Sequence, residues 1–254
     1  MRILITNDDG IYAPGLRELV RALAPLGEIT VIAPERQQSA TGHGITLHKP
    51  LRMTPVQIDA PAAEAFATNG TPADCTILAT ADDRPPPDLV VAGINMGANL
   101  GEEVLYSGTA SAAMEGALQG LAAFSISVAA YEACIFEPAA DFAAALARRV
   151  SEVGLPPDTF LNVNVPNVCA EELGPAVLTR LGRRRYLNSL DRREDPRGRS
   201  YYWFSGEPLE SDAAEGTDIS AVQAGFISVT PVHFDMNFRG AGGEFDALLD
   251  GLGS

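Results

Sequence analysis

Met1-Arg2-Ile3-Leu4-Ile5-Thr6-Asn7-Asp8-Asp9-Gly10 is the stretch on which the reading of this chain turns. Ile3, Leu4 and Ile5 form an unbroken apolar run, the pattern of a strand buried on both faces of a parallel sheet. Polarity switches at Asn7, two carboxylates follow at the strand's C-terminal end, and Gly10 offers a turn before a helical pattern opens near Pro14. Open parallel sheets bind ligands outside the carboxyl ends of their strands. Two carboxylates about 4 Å apart repel by about 4 kcal/mol at an effective dielectric of about 20. A fold that sets Asp8 and Asp9 side by side in such a crevice is expected to neutralise them with a bound cation.

Working outward, Leu16, Leu19, Val20 and Leu23 share one helical face, bracketed by Pro14 and Gly27 in the order helices favour. A second strand is expected at 29–33. Residues 45–58 alternate (Ile45, Leu47, Leu51, Met53) around Lys49-Pro50 and suggest a β-hairpin insertion. Thr71-Pro72-Ala73-Asp74 reads as a helix start. Strands are expected at 89–92, 124–128 and 160–165, with helices at 109–121 and 139–150 between them. This alternation predicts an α/β fold: a Rossmann-like three-layer core with a mostly parallel sheet over residues 1–169. Beyond residue 170 the pattern changes. Residues 180–199 hold eight arginines against three acids, and Tyr201-Tyr202-Trp203-Phe204 follow, then a strand at 226–230. Residues 170–254 are expected to form a β-rich C-terminal arm that packs on the core, not an independent domain.

Composition excludes several classes. With 254 residues, 46% of them hydrophobic, the chain can bury a full core. It has no apolar run of about 18 residues, so no membrane span or membrane partner is expected. It also lacks the pattern of a secretory signal. Cys75, Cys134 and Cys169 are odd in number and widely spaced, which suits a reducing, cytoplasmic setting better than a disulfide framework. A net charge of −15 argues against a nucleic-acid polymer as partner. Lys49 is the sole lysine, so no P-loop can form and a Schiff-base lysine is nearly excluded. An anionic substrate would have to be held by a metal, by backbone N–H groups or by arginine.

Three expected strand ends carry oxygen-rich loops: Asn7-Asp8-Asp9-Gly10, the segment from Ala33 to Gly44 with Ser39, and Gly93-Ile94-Asn95-Met96-Gly97-Ala98-Asn99. Carboxylate, hydroxyl and amide oxygens suit Mg²⁺ or Mn²⁺ rather than zinc. Next, Ser107-Gly108-Thr109 leads into an Ala/Gly-rich helix whose first-turn N–H groups and dipole favour an anion. Taken singly, each feature has an ordinary reading. Asp-Asp can be a solvated turn, Ser39 a turn residue, Asn95 and Asn99 left-handed turn positions, Ser107 a plain cap, and the arginine run a solvated face. Their joint placement at strand ends is what points to one site, a cation beside an anion nest, which suits a phosphate ester.

The same segments carry a resemblance. Ile5-Thr6-Asn7-Asp8-Asp9-Gly10-Ile11, Gln38-Ser39-Ala40, Gly70-Thr71-Pro72-Ala73-Asp74-Cys75, Gly93-Ile94-Asn95 with Gly97-Ala98-Asn99-Leu100-Gly101, Tyr106-Ser107-Gly108-Thr109-Ala110-Ser111, Asn162-Val163-Asn164-Val165-Pro166, Asp195-Pro196-Arg197-Gly198-Arg199 and Thr217-Asp218 together resemble the SurE (survival protein E) family over nearly the whole chain. The resemblance implies a metal-dependent acid phosphatase (a 5′-nucleotidase) acting on nucleoside 5′- and 3′-monophosphates, in some members also on short polyphosphate. It implies one divalent cation per subunit, held by Asp8, Asp9, Ser39 and Asn95, with Asp8 and Asp9 catalytic. Ser107, Gly108 and Thr109 match the family's phosphate-binding loop, and Asn7 and Asn99 are taken as further substrate-binding positions. It also implies a C-terminal arm exchanged between the subunits of a homodimer, sometimes assembled to a tetramer. Asp8 is the candidate base or nucleophile; the residues alone do not separate those roles. The rival readings fit less well. A signalling receiver domain needs a late lysine, a haloacid-dehalogenase phosphatase needs Asp-x-Asp, and a dinucleotide-binding domain needs Gly-x-Gly-x-x-Gly after its first strand.

Overall fold

Period-two alternation sorts the strand residues onto two buried faces. In the computed structural model, Ile3 and Ile5, Ile29 and Val31, Leu89 and Val91, and Phe124 and Ile126 belong to one apolar cluster, while Leu4, Ile32, Val90 and Ala123 belong to another. Both faces are covered, so the strands read as continuous apolar runs. The structure describes residues 1–81, 83–184, 186–187, 190–204, 207–208 and 213–237.

The elements up to residue 165 are β1 (Arg2–Thr6), α1 (Pro14–Leu23), β2 (Glu28–Pro34), β3 (Met53–Pro55), β4 (Glu64–Thr68), α2 (Pro72–Ala81), β5 (Leu89–Met96), α3 (Gly108–Leu118), β6 (Ala122–Val128), α4 (Glu137–Val153) and β7 (Thr159–Val165). They are followed by β8 (Ala176–Leu178), β9 (Tyr186–Leu187), β10 (Leu190–Glu194), β11 (Ser200–Phe204), β12 (Glu207–Pro208), α5 (Asp218–Gln223) and β13 (Ile227–His233). Nine strands form one sheet in the order β3-β4-β2-β1-β5-β6-β7-β13-β8. From β4 to β7 all neighbours are parallel. Strand order reverses between β1 and β5, the switch point at which doubly wound sheets open a ligand crevice. The predicted faces of α1 are buried at Leu16, Leu19, Val20 and Leu23, and α1 packs with α4 on one side while α2 and α3 cover the other. This is the expected three-layer α/β core.

The region past residue 170 also extends the main sheet. β13 runs antiparallel to β7 and parallel to β8, and α5 packs on β13. The β10–β11 hairpin and the β9–β12 pair form separate two-stranded sheets. Among the described residues no helix is long and apolar enough to cross a membrane.

One expectation is corrected. Residues 45–52 contain no strand, so the hairpin placed at 45–58 does not form around Lys49-Pro50. Instead β3 pairs antiparallel with β4. Pro50 offers no N–H to a ladder. Its neighbours bond to the turn after β4: Lys49 Nζ donates to Asn69 O (2.8 Å), Arg52 N donates to Asn69 Oδ1 (2.8 Å), and Asn69 Nδ2 donates to Pro50 O (3.3 Å). β4 itself was not anticipated, because two alanines in Glu64-Ala65-Phe66-Ala67-Thr68 dilute a strand signal that rests on large apolar side chains.

Candidate active site

At the β1–β5 switch point the chain turns sharply after Thr6. Asn7 Nδ2 donates to Gly10 O (3.0 Å) and Gly10 N donates to Asn7 Oδ1 (3.1 Å), closing a loop that projects Asp8 and Asp9. The buried Asn7 side chain therefore braces this loop. Asp8 is buried against the N-terminus of α3. Its Oδ1 accepts from Thr109 Oγ1 (2.5 Å) and its Oδ2 from Thr109 N (3.2 Å). Gly108 permits this approach, since a Cβ there would stand 2.8 Å from Asp8 Cβ and 3.0 Å from Asp8 Oδ2. The helix N-terminus thus already holds an anion, the Asp8 carboxylate. Burial nonetheless dominates and raises the Asp8 carboxyl above its ordinary range, against the lowering effect of the Thr109 bonds. Asp9 accepts from Met96 N (3.2 Å) and is pushed up to about 6, first by burial, with the Asp8 charge adding and the Met96 bond opposing.

Ser39 and Asn95 come from the other two loops. Gln38 N donates to Asp8 O (2.7 Å), fixing the start of the Ser39 loop on the β1 turn, and Gln37 Nε2 donates to Ser39 Oγ (2.9 Å). Farther along, Gly42 N donates to Tyr106 O (2.9 Å), His43 Nε2 bonds Glu115 Oε2 (2.8 Å), Thr71 Oγ1 donates to Gly44 O (2.7 Å) and Thr46 N donates to Asp74 Oδ1 (3.0 Å). The loop is thus tied at its start to the β1 turn and farther along to α3 and to the start of α2. The His43 bond is the largest cause holding Glu115 below the usual carboxylate range. A register shift in the β5–β6 ladder between Ala92 and Asn95 re-aims the end of β5, as bulges beside active sites do. Asn95 Nδ2 then donates to Gly97 O (2.7 Å), leaving Oδ1 as the amide's donor atom for a cation.

Beneath this loop lies a buried amide network. Asn99 N donates to Asn164 Oδ1 (2.8 Å) and Asn99 Nδ2 to Ser127 Oγ (3.0 Å), while Asn162 Nδ2 (2.8 Å) and Asn164 Nδ2 (3.0 Å) both donate to Asn99 O. Asn99 holds the loop in place as well as lining the cleft. Ser107 caps α3, its Oγ accepting from Ala110 N (3.0 Å) and keeping its own proton to donate.

Asp8, Ser39, Asn95, Asn99 and Ser107 line one cleft of about 630 Å³, shared with Glu102, Glu103, Tyr106, Tyr131 and Arg184. Asp9, Gly108 and Thr109 stand in contact with it through Met96 and Asp8. A second hollow, of about 250 Å³, lies at the opposite, amino ends of the strands and contains none of these groups. Among the described residues no three His, Cys, Asp or Glu side chains cluster as a metal group. The donor set is two carboxylates with neutral oxygens, which fits a hard divalent cation and neutralises its charge.

The sequence model for Survival protein SurE matches residues 3–188. The chain belongs to the SurE family. It is 52% identical to the 5′-nucleotidase SurE of Moorella thermoacetica, covering 99% of this chain and 97% of that protein. It is likewise 52% identical to the 5′-nucleotidase SurE of Heliobacterium modesticaldum, over 93% and 87% of the two chains. The crystal structure of the SurE protein from Aquifex aeolicus superposes with a TM-score of 0.82 at 40% identity, covering 93% of this chain and 95% of that one. The SurE match spans every cleft residue, Arg184 included.

Sequence reading missed the outer walls of this SurE cleft. Arg184, from the arginine run, does not stand free in solvent. Its N donates to Glu102 Oε2 (2.6 Å) and its Nη1 pairs with Glu103 Oε2 (2.7 Å) of the same chain. Burial is the main cause raising the Glu103 carboxyl, against the opposing Arg184 charge. Asp218 was also missed as a structural residue. Fully buried, it accepts from Gly101 N (2.8 Å), Gly182 N (2.8 Å) and Ile219 N (2.9 Å), joining α5 to the β5–α3 loop. Arg192, Arg193 and Arg199 bond to Ser200, Asp191 and Asp195 within the β10–β11 hairpin.

Proposed function

We propose that this protein is a metal-dependent 5′-nucleotidase, hydrolysing nucleoside 5′-monophosphates to nucleoside and phosphate, with 3′-monophosphates and short polyphosphate as further substrates. The observation that carries the reading is the position of Asp8: at the β1–β5 switch point, in one cleft with Ser39 and Asn95, and in contact with the N-terminus of α3. Asp8, Asp9, Ser39 and Asn95 would hold one Mg²⁺ or Mn²⁺. When bound, the cation neutralises charge on the phosphoryl oxygens. The Ser107 hydroxyl, which keeps its proton while capping α3, offers a donor to another phosphoryl oxygen. Hydrolysis breaks the ester P–O bond, forms a bond from water oxygen to phosphorus, and delivers a proton to the leaving alkoxide. Asp8, oriented by Thr109, serves as base or as nucleophile. Relatives named 5′-nucleotidase at 52% identity support this substrate class.

We read the exposed β10–β11 hairpin as the part exchanged in a homodimer, able to assemble further to a tetramer. Trp203 is 60% and Phe204 92% exposed in the single chain, the kind of apolar surface a second copy covers. The free thiols of Cys75, Cys134 and Cys169 suit a cytoplasmic location. The test of the activity is phosphate release from AMP. Excess EDTA is expected to stop it, Mn²⁺ or Mg²⁺ to restore it, and Asp8→Asn to abolish it. Turnover that survives either EDTA or Asp8→Asn refutes the assignment.

A further inference from the structure

Two large aromatic side chains in the cleft are left unused by the cation and phosphate sites. Tyr106 and Tyr131 line it with Asp8, Ser39 and Asn95, and are 66% and 69% exposed. Their placement is fixed from below. Tyr106 N donates to Glu103 O (3.0 Å), and its carbonyl accepts from Gly42 N (2.9 Å) on the Ser39 loop. The Tyr131 ring lies against Gly97: a Cβ built on that glycine would stand 2.5 Å from Cε1 and 3.0 Å from Cδ1. One part of the ring is therefore packed on the loop after β5, and the rest is open. Tyr106 directly precedes the helix cap Ser107, so a phosphate at that cap has an aromatic wall beside it. A cleft of about 630 Å³ is far larger than a phosphate group needs and falls in the usual range for whole small-molecule ligands.

We infer that Tyr131 and Tyr106 form the nucleobase subsite of this cleft, the base stacking on their rings while the phosphate lies between Asp8 and Ser107. The inference rests on the nucleotidase reading above and adds to it the source of discrimination between nucleotides and other phosphate esters. Stacking is tolerant of base identity because every base presents a π-face. On the neighbouring polar wall the Arg184 guanidinium is paired with Glu103, while Glu102 accepts from the Arg184 backbone N–H. The subsite therefore favours nucleotides over base-free sugar phosphates and discriminates little among bases.

The test compares kcat/KM for AMP and for ribose 5-phosphate, in Mn²⁺, across the wild type, Tyr131→Ala, Tyr131→Phe, Tyr106→Ala and Tyr106→Phe. Each alanine variant is expected to lower the AMP-to-ribose-5-phosphate ratio roughly tenfold, mostly through KM, the size expected when one stacking surface is lost. The phenylalanine variants, which keep the ring, are expected to retain most of the ratio. An equal fall for both substrates in the alanine variants, or a collapse of the ratio in the phenylalanine variants, overturns the subsite. A wild type that hydrolyses both substrates equally well overturns it while leaving the phosphomonoesterase intact. A wild type that hydrolyses neither overturns both readings.

Discussion

Asp9→Asn is expected to stabilise the metal-free protein while removing its affinity for a divalent cation. Burial, with the Asp8 charge behind it, pushes the Asp9 carboxyl from 3.8 up to about 6 in the folded state. A difference of about two pKa units corresponds to about 3 kcal/mol, the cost to the folded state of carrying ionised Asp9 at neutral pH. The folded carboxyl holds its proton to higher pH than the unfolded chain does. Its contribution to stability is therefore complete below about pH 4 and is lost as pH rises through about 6. Asparagine keeps an acceptor for the Met96 N–H and carries no charge. In EDTA at pH 7.5, denaturant unfolding at unchanged m-value should show the variant more stable by about 2–3 kcal/mol, a gap that closes towards pH 4. In saturating Mn²⁺ the order should reverse, because only the wild type gains stability from ligand linkage. A variant no more stable than the wild type in EDTA at pH 7.5, or a gap independent of pH, refutes the argument.

Other consequences are equally measurable. Thr109→Val removes the hydroxyl that supports ionised Asp8, a charge-assisted bond contributing about 1.5–3 kcal/mol, so the acid limb of the kcat/KM profile should move up by about one to two pH units. Thr109→Ser should restore it, and an unmoved limb would remove Asp8 ionisation from the rate. His43→Ala and Glu115→Ala untie the Ser39 loop from α3 and should weaken Mn²⁺ binding, read by calorimetry, roughly tenfold, as loss of outer support does at other metal sites. Unchanged affinity would show that the tie does not position Ser39. Asp218→Ala leaves the N–H groups of Gly101, Gly182 and Ile219 without their buried acceptor and should lower stability by about 3–5 kcal/mol, seen as a large fall in Tm; a change within 1 °C would show that the site relaxes without cost.

The core of the fold was legible because its strands are buried on both faces whereas α1 buries only one. Ile3–Leu4–Ile5, Val90–Val91 and Phe124 announce parallel strands through unbroken apolar runs, and Leu16, Leu19, Val20 and Leu23 announce α1 through their spacing. β4 and the 45–52 segment were not legible, since alanines and one side chain, Asn69, decide their pairing. In the site, Asp8, Ser39, Asn95, Asn99 and Ser107 were readable as strand-end and helix-start residues, and the structure brings them to one cleft. The bracing role of Asn7 and the capture of Asp8 by Thr109 were not readable, because both depend on which way a side chain turns. Arg184 and Tyr131 lie outside any local motif for this site, and Asp218, though quoted in the Thr217-Asp218 segment, shows its bracing role only through tertiary contact.

The three donors on Asp218 also bear on how far this enzyme can be trimmed. Residues beyond 170 contribute β8 and β13 to the central sheet, and Asp218 reaches from them to Gly101, on the loop that leads from Asn95 to Ser107. Excising that region would bare an edge of β7 and leave Gly101 N–H orphaned beside the reacting centre. The smallest autonomous catalyst is therefore not the segment that carries the ligands; it must run at least through β13.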